Sequence, residues 1–373
     1  MARPFSLVAG TKNSRKEEPW RDKSEIECSF VLKMAFAGAN VAANERGGDH
    51  MIRSFVFSQG KLLSQDVTMD ILRQLLHEPE VHIWVDAESS DANEAKALLE
   101  DVFGFHPLSI EDCVNESPRP KVEEYDNYVF MVIHSVDFDV RKFRTTELNM
   151  FIGKNFLVTY HAQPLRCISA TIERVVRNAP LVAKAPDRLT YTILNSLLEN
   201  YEPALDNLAA ESTRIEGLVL GGKAVNIVDE ILRLKSEVQH LRQIIMPQRD
   251  VINRLSHGEF KIVRTHLLPY YRDLLDQLVR IGDFADNYGN SLTDTLQAHL
   301  NIQQVKLNEV IKVLTVLATL SVPILVITSY YGMNIKHFPP LDWTWGEAYS
   351  WIFGITGLIT MMVYLVLRRK KWM

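Results

Sequence analysis

The chain has 373 residues, with 41 basic and 46 acidic side chains for a formal charge of −5, and a mean hydropathy of −0.06. That length allows two or three domains with cores of their own, so folding needs no disulfide or metal staple. Mild acidity excludes a global attraction to nucleic acid, and a hydropathy near zero excludes a chain made mostly of membrane helices. Three scattered cysteines, Cys28, Cys113 and Cys167, lack CxxC spacing and point to a reducing compartment rather than to an oxidised scaffold or a thiolate zinc site.

Residues 1–50 are polar to about Glu27 and then carry an apolar patch interrupted by Lys33, which reads as a poorly ordered N-terminal extension rather than a signal peptide. Residues 51–185 mix strands and helices. MIRSFVFSQGKLL reads as strand, turn and strand around Ser58-Gln59-Gly60-Lys61, and VHIWVD as a buried strand. NYVFMVIHSVDF, LNMFIG and NFLVTYH read as a meander with Gly153-Lys154-Asn155 as a hairpin turn. Residues 91–103 and 162–178 have helical periodicity, which completes a cytosolic α/β domain.

Residues 186–312 are expected to be helical, in stretches at 188–217, at 224–256 and from Pro269 onward. The last stretch carries Leu274, Leu278, Ile281, Ala285, Tyr288, Leu292 and Leu296 at alternating steps of mostly four and three, the spacing of a packed seam. Continued unbroken to Tyr331, it makes a helix of about sixty residues, roughly 90 Å long, a rod able to carry a cytosolic event to a bilayer.

Residues 313–373 are a different kind of chain. The segments 313–331 and 348–367 hold no charged side chain. Each is about twenty residues, or roughly 30 Å of helix, matching a bilayer's hydrocarbon core. Tyr330, Tyr331, Trp343, Trp345, Tyr349 and Trp351 gather at the segment ends as an interfacial belt does, and Pro323 is tolerable where neighbouring helices and hydroxyls satisfy a freed carbonyl. Arg368, Arg369, Lys370 and Lys371 follow the second segment, whereas the linking loop has one basic residue, Lys336. Positive-inside then places both termini in the cytoplasm, at a cell (inner) membrane. The fold class is α+β: a cytosolic α/β domain, a long-helix funnel and a C-terminal two-helix transmembrane hairpin.

Directly after the first segment stands Tyr331-Gly332-Met333-Asn334. A helix C-terminus carries unsatisfied carbonyls and the negative end of the dipole, Gly332 permits a tight turn, and Asn334 offers an amide oxygen. Hard cations take oxygen ligands and Mg²⁺ sheds water reluctantly, so such a ring can select the hydrated ion. An ordinary helix C-cap with Gly332 at its usual post is compatible with this, and the hydrophobic context favours the ion entrance.

The motif at the end of the first of two C-terminal spans, after a long helix and before a basic terminus, resembles the CorA family of divalent metal (magnesium) ion transporters. HPLSIEDCVNESPRPKVEEYDNYVF, LRQIIMPQRDVINRL and LNEVIKVLTVLATLSVP also look like family blocks, so the resemblance runs over 51–373. It implies a homopentamer in lipid whose first spans line the pore, with Asn308, Ile311, Leu314, Thr315, Val322, Leu325 and Ser329 facing inward. Asn308 would then be a polar ring and Ile311 with Leu314 a constriction closing by dewetting, although plain helix packing suits the apolar members too. It further implies that cytosolic Mg²⁺ closes the pore by binding Asp273 and Asp112, with Glu111 as a substitute, between neighbouring subunits. The same residues have a plainer reading, in which Ser109 and Asp112 form a capping box and Asp273 is a solvated helix acid.

By the same resemblance Asn334, Asn308, Asp273, Asp112 and Glu111 are the metal-binding candidates, and Mg²⁺ is both substrate and regulatory ligand, with Co²⁺ and Ni²⁺ as surrogates. No organic cofactor and no nucleic acid are expected. Lys336, His337, Pro339 and Pro340 after the motif depart from the acids common in the family loop, and Leu325 replaces a frequent threonine, while Met333 favours the magnesium branch over zinc transporters of the ZntB type. A zinc transporter of this superfamily and a membrane-anchored scaffold without transport are the alternatives. An enzyme is not expected, since the chain has no nucleotide loop, HExxH or GxSxG.

Overall fold

The computed structural model describes residues 51–88, 96–115, 119–139, 142–222, 226–333 and 345–370. The extension expected at 1–50, the opening of the helix expected at 91–103, and the loop that begins with Asn334 and contains Lys336 lie outside these residues. The chain divides into two compact units, one of residues up to Ala209 with Ser236–Asn287, the other of Ala210–Lys235 with the chain from Tyr288 onward.

The first unit is built on a seven-stranded sheet: β1 (Met51–Ser58), β2 (Lys61–Gln65), β3 (Val81–Glu88), β4 (Lys121–Glu124), β5 (Tyr128–Asp139), β6 (Lys142–Gly153) and β7 (Phe156–His161), in the order β2-β1-β3-β7-β6-β5-β4. Only β3 and β7 run parallel; every other pair is antiparallel. The β1–β2 hairpin turns on Gln59 and Gly60, both in the left-handed region at φ 50° and 76°, as a two-residue turn between right-twisted strands requires. The β6–β7 turn works differently. A Cβ on Gly153 would lie 2.2 Å from the Phe156 ring, so glycine is needed there for the close approach of that ring.

Alternating side chains serve two faces. Val56, Ile83, Val85, Phe130, Val132, Phe151 and Val158 pack under α1 (Met69–Leu75), a π-helical turn (Ala97–Val102) and α2 (Pro107–Val114). Phe55, Phe57, Trp84, Met131, Ile133, Met150 and Leu157 are buried on the other face, where α4 (Pro186–Glu199) lies against β3, β5, β6 and β7, and α3 (Arg166–Val182) against β2. Burial on both faces is why the central strands read as nearly continuous apolar runs.

Several helices depart from their sequence-expected bounds. The described part of 91–103 forms a π-helical turn rather than a regular helix. The helix expected at 162–178 starts at Arg166 and is interrupted at Asn178 (φ −153°), two residues before Pro180, which lacks an N–H and crowds the carbonyl of Val176. The single stretch expected at 188–217 is two helices, α4 and α5 (Tyr201–Leu220), parted at Asn200. The cause is Pro203, which has no N–H for the carbonyl of Glu199. Then follow α6 (Ile227–Ser256), the 64-residue α7 (Leu268–Tyr331), uninterrupted through Pro323, and α8 (Trp345–Arg369).

Two polar devices finish the first unit. Beyond the reach of β4, the His134 amide donates to Gln248 Oε1 at 3.2 Å and its carbonyl accepts from the Tyr201 hydroxyl at 2.8 Å. On the α4 side, Asp86 Oδ1 accepts from Thr159 Oγ1 (2.6 Å) and His161 Nε2 (3.2 Å), while Trp84 Nε1 donates to Thr159 Oγ1 (3.1 Å). His161 Nδ1 meets the Gln163 carbonyl at 2.7 Å, so its two nitrogens face a carbonyl and a carboxylate, partners that suit a ring protonated on both nitrogens and charged. Burial opposes that charge, but the hydrogen bond and charge of Asp86 outweigh it and raise the His161 pKa above 6.5. Cys113 and Cys167 are free and buried, and burial pushes the Cys167 thiol up to about 12.

A histidine whose pKa rises on folding contributes stability that is complete below its unfolded pKa and disappears as pH climbs through the folded one. The thermal midpoint of the first unit is therefore expected to fall as pH is raised above about 6.5. The His161→Gln variant is expected to lose that dependence and about 3 kcal/mol at the acid end, because Asp86 is left buried without its charged partner. Calorimetry across pH checks both, and an identical pH slope in the variant would contradict the assignment.

Candidate ion path and regulatory carboxylates

The apolar end of α7 is exposed in the single chain. Its most apolar stretch has a mean hydropathy of 2.4, that of α8 reaches 1.9, and no residue in the latter is buried. Two helices of a soluble core would have buried these surfaces. Within the apolar stretch the hydroxyls serve the helix itself: Thr315 donates to the Ile311 carbonyl (2.7 Å), Ser321 to Leu317 (2.8 Å) and Thr328 to Ile324 (2.8 Å). These three hydroxyls are satisfied within the helix, as hydrocarbon requires.

Asn308, Ile311, Leu314, Thr315, Val322, Leu325 and Ser329 all lie on α7, and at about 3.6 residues per turn they share a sector of about 120°. Exposure does not single that sector out. Leu314 and Leu325 are 66% and 61% exposed, but Val313 and Leu317 on the far side are 62% and 59% exposed. The spacing groups these residues, while nothing in one chain encloses a path. At the end of α7, the Gly332 amide still donates to the Thr328 carbonyl at 3.0 Å, and the Gly332 φ is not positive. The expected tight turn at Gly332 is thus replaced by a continued helical bond. Glycine is fitted there because a Cβ would sit 3.0 Å from that same carbonyl oxygen. Met333 is exposed, and Asn334 falls just outside the described residues.

The carboxylates belong to the first unit. Asp273 is exposed on α7 and accepts from Gln277 Nε2 at 2.9 Å, one turn on. Its place is fixed two residues earlier. Tyr271 is wholly buried and donates to the Asp187 main-chain carbonyl at 2.8 Å. The Asp187 side chain, also buried, accepts the Arg264 guanidinium through Nε and Nη2, both at 2.7 Å, and the Arg264 amide at 3.1 Å. This clamp ties the start of α7 to the start of α4. Beside it, the Arg188 guanidinium lies 5.0 Å from the Tyr191 ring and 4.7 Å from the Tyr270 ring. Burial raises the Tyr191 phenol above its ordinary value, with Arg188 opposing and Asp273 adding to the rise.

Asp112 sits near the end of α2, with exposed Glu111 before it. The capping-box reading fails: His106 is the N-cap, its Nδ1 accepting from the Leu108 amide at 3.2 Å, and Ser109 lies inside the helix. The Ser109 hydroxyl instead donates to the His106 carbonyl at 2.8 Å and meets the Tyr128 hydroxyl at 3.0 Å. Asp112 pairs through Oδ2 with Lys121 Nζ, which also reaches Glu123 Oε1 at 3.1 Å. Burial disfavours the charge on Lys121, yet the bonds to Asp112 and Glu123 outweigh it and raise its pKa. Among the described residues no three His, Cys, Asp or Glu side chains gather to hold a metal ion. Sequence reading missed Lys121, Arg264 and Asp187. The alternation Lys121-Val122-Glu123 did place the lysine and a carboxylate on one side of a strand, but its contact with α2 is long-range.

The CorA-like Mg²⁺ transporter protein family matches residues 79–369. The chain belongs to this family. It is 28% identical over 293 residues to the cobalt/magnesium transport protein CorA of Thermotoga maritima, covering 78% of this chain and 83% of that one. It is 24% identical over 292 residues to the cobalt/magnesium transport protein CorA of Methanocaldococcus jannaschii, covering 78% and 91%. The complete structure of the CorA magnesium transporter from M. jannaschii matches with a TM-score of 0.72 at 22% identity, over 86% of this chain and 98% of that one. The ZntB cytoplasmic domain from Vibrio parahaemolyticus matches at 0.57 and 14% identity, over 69% and 99%. These likenesses establish the fold as α/β unit, long helix and C-terminal apolar helices. The family is one of divalent-cation transporters rather than enzymes, and the two exposed apolar helices are its membrane spans.

Replacing Arg264 with Ala leaves the Asp187 carboxylate buried and unpaired, a change expected to cost about 3 kcal/mol. Chemical unfolding of the purified protein is expected to show that loss, together with faster amide exchange at 268–272, while exchange in β5 and β6 changes less. Equal protection at 268–272 in both proteins would refute the role given to the clamp.

Proposed function

We propose that this chain is a homopentameric Mg²⁺ channel, also passing Co²⁺ and Ni²⁺, that closes when Mg²⁺ accumulates on the side of its α/β unit. The observation that carries this reading is the charge-free, exposed end of α7 leading directly into Gly332-Met333-Asn334. Two spans in one chain cannot surround an ion, so a path needs several copies, and a closed ring of identical subunits is the economical way to make one. The sector from Asn308 to Ser329 then faces the axis. Asn308 supplies a ring of amide oxygens, Ile311 and Leu314 a dry constriction, and Asn334 with the terminal carbonyls of α7 an entrance that holds the ion through its water shell.

Closure follows from charge. Asp273 and Asp112, with Glu111 in reserve, repel their counterparts on a neighbouring copy unless a divalent cation lies between them. Filling those sites draws subunits together, and emptying them loosens the ring. The absence of any three-ligand cluster among the described residues of one chain fits sites completed by a second copy. The basic end, Arg368 to Lys370, sets both termini on the cytoplasmic face.

Zinc transport is the second reading, favoured by the shared fold with the ZntB cytoplasmic domain. Flux into liposomes separates the two. Mg²⁺ entry is expected to be undiminished by equimolar Zn²⁺, and the reverse outcome would select the zinc reading. Asn334→Ala is expected to abolish uptake while leaving a pentamer by native mass measurement; undiminished entry in that variant would overturn the selectivity role. Asp273→Asn is expected to keep the pore conducting at Mg²⁺ concentrations that close the native protein.

A further inference from the structure

The Asp112 carboxylate already has a cation on it. Lys121, nine residues later on β4, places Nζ on Asp112 Oδ2, where a metal would bind. We propose that Lys121 is a tethered competitor for the divalent cation at Asp112 and sets the Mg²⁺ concentration at which the pore closes. This rests on the reading of Asp112 as a regulatory ligand.

Three features suit Lys121 to exchange rather than to permanent bonding. Its side chain is 29% exposed and that of Asp112 31%, so an ion from solvent reaches the pair without unfolding anything. The ammonium has a second carboxylate within bonding distance, Glu123 Oε1 at 3.1 Å, and the Phe130 ring centroid 5.7 Å away. Displaced from Asp112, it is not left without a partner. Glu123 is held in turn by the Tyr125 hydroxyl at 3.0 Å, and Tyr125 stacks on Tyr128 at 4.8 Å between centroids.

The helix that carries Asp112 does not depend on the lysine. Ile110 and Cys113 anchor α2 in the core, and Ser109, the His106 main chain and the Tyr128 hydroxyl bond it to the start of β5. Breaking the Lys121–Asp112 pair therefore frees a carboxylate without releasing the helix. An ammonium is a compact, strongly hydrated single charge on a flexible stem, the side chain best fitted to imitate and then yield to a hydrated metal ion.

The sign follows directly. Removing the positive charge leaves Asp112 beside Glu111 and Glu123, so the site binds Mg²⁺ more tightly and closes the pore at a lower concentration. Lys121→Gln is expected to reduce the half-closing Mg²⁺ concentration in proteoliposome flux by about fivefold, the scale of a partly exposed ion pair. Lys121→Glu is expected to reduce it further, and Lys121→Arg, which retains the charge, to close at or above the native concentration. Because Lys121 also packs near Phe130, the Arg and Glu variants, compared with each other, keep the test decisive if the Gln variant does not assemble. Equal half-closing concentrations in the Arg and Glu variants would overturn the proposal.

Asp112→Asn separates this from the reading beneath it. If the Asn variant closes as the native protein does, Asp112 is no sensor and both fall. If it is desensitised while the Lys121 series is flat, only the competitor is refuted. With both upheld, adding Lys121→Gln to Asp112→Asn is expected to produce no further shift.

Discussion

In hydrocarbon no water is present to complete a hydrogen bond, and that single constraint shapes the C-terminal sixty or so residues. Each backbone polar group has to find its partner within the protein. On the apolar part of α7, Thr315, Ser321 and Thr328 likewise fold their hydroxyls back on carbonyls one turn earlier. Pro323 is accommodated without interrupting the helix. A helix that stops at a bilayer surface presents carbonyls that nothing within it can satisfy. A cation is one answer to that deficit. Gly332 keeps the last turn tight, its amide still reaching Thr328 where a side chain would crowd the same oxygen.

The first unit lives under the opposite regime. Water surrounds it, so burying a charge is the exception, and where it happens the charge is fully engaged. Asp86 with His161 stitches β3 to β7, the one parallel pair in the sheet. Asp187 with Arg264 joins the head of α4 to the head of α7. Asp187 has both carboxylate oxygens taken by the chain, and Asp86 Oδ1 is held by Thr159 and His161. Asp273 and Glu111 are exposed, and Asp112 is half-exposed in its pair with Lys121. The buried carboxylates Asp86 and Asp187 thus serve as a fixed frame, while these acids lie where solvent reaches them.

Much of this was legible in sequence. The alternation in MIRSFVFS, the pair Gln59-Gly60 and the continuous run VHIWVD specify strands and a turn by local sterics alone, and those elements stand where expected. Of the seam expected from Leu274 to Leu296, Leu274, Leu278, Ile281, Ala285 and Leu292 are likewise buried along one helix, while Tyr288 and Leu296 are half-buried. Local rules erred where proline acted at a distance of four residues, at Pro180 and Pro203, and where a spacing admitted two meanings. Ser109 and Asp112 have the interval of a capping box, but His106 occupies the cap, and what Ser109 bonds is a tyrosine hydroxyl nineteen residues away. Lys121 on Asp112, Arg264 on Asp187 and Gln248 on β5 are contacts between distant segments, and no periodicity encodes them.

The closure of β5 at His134 bears on how copies of this protein meet. A strand that outruns its neighbour offers bare amides and carbonyls, an invitation for another chain to add itself to the sheet. Here Gln248 and Tyr201 occupy the His134 amide and carbonyl, and the two outermost strands, β2 and β4, are only five and four residues long, with β4 reading Lys-Val-Glu-Glu. Strand addition is thereby disfavoured at His134 and on both outermost strands. A protein so protected can be crowded onto a membrane at high local concentration without its sheets fusing into aggregates.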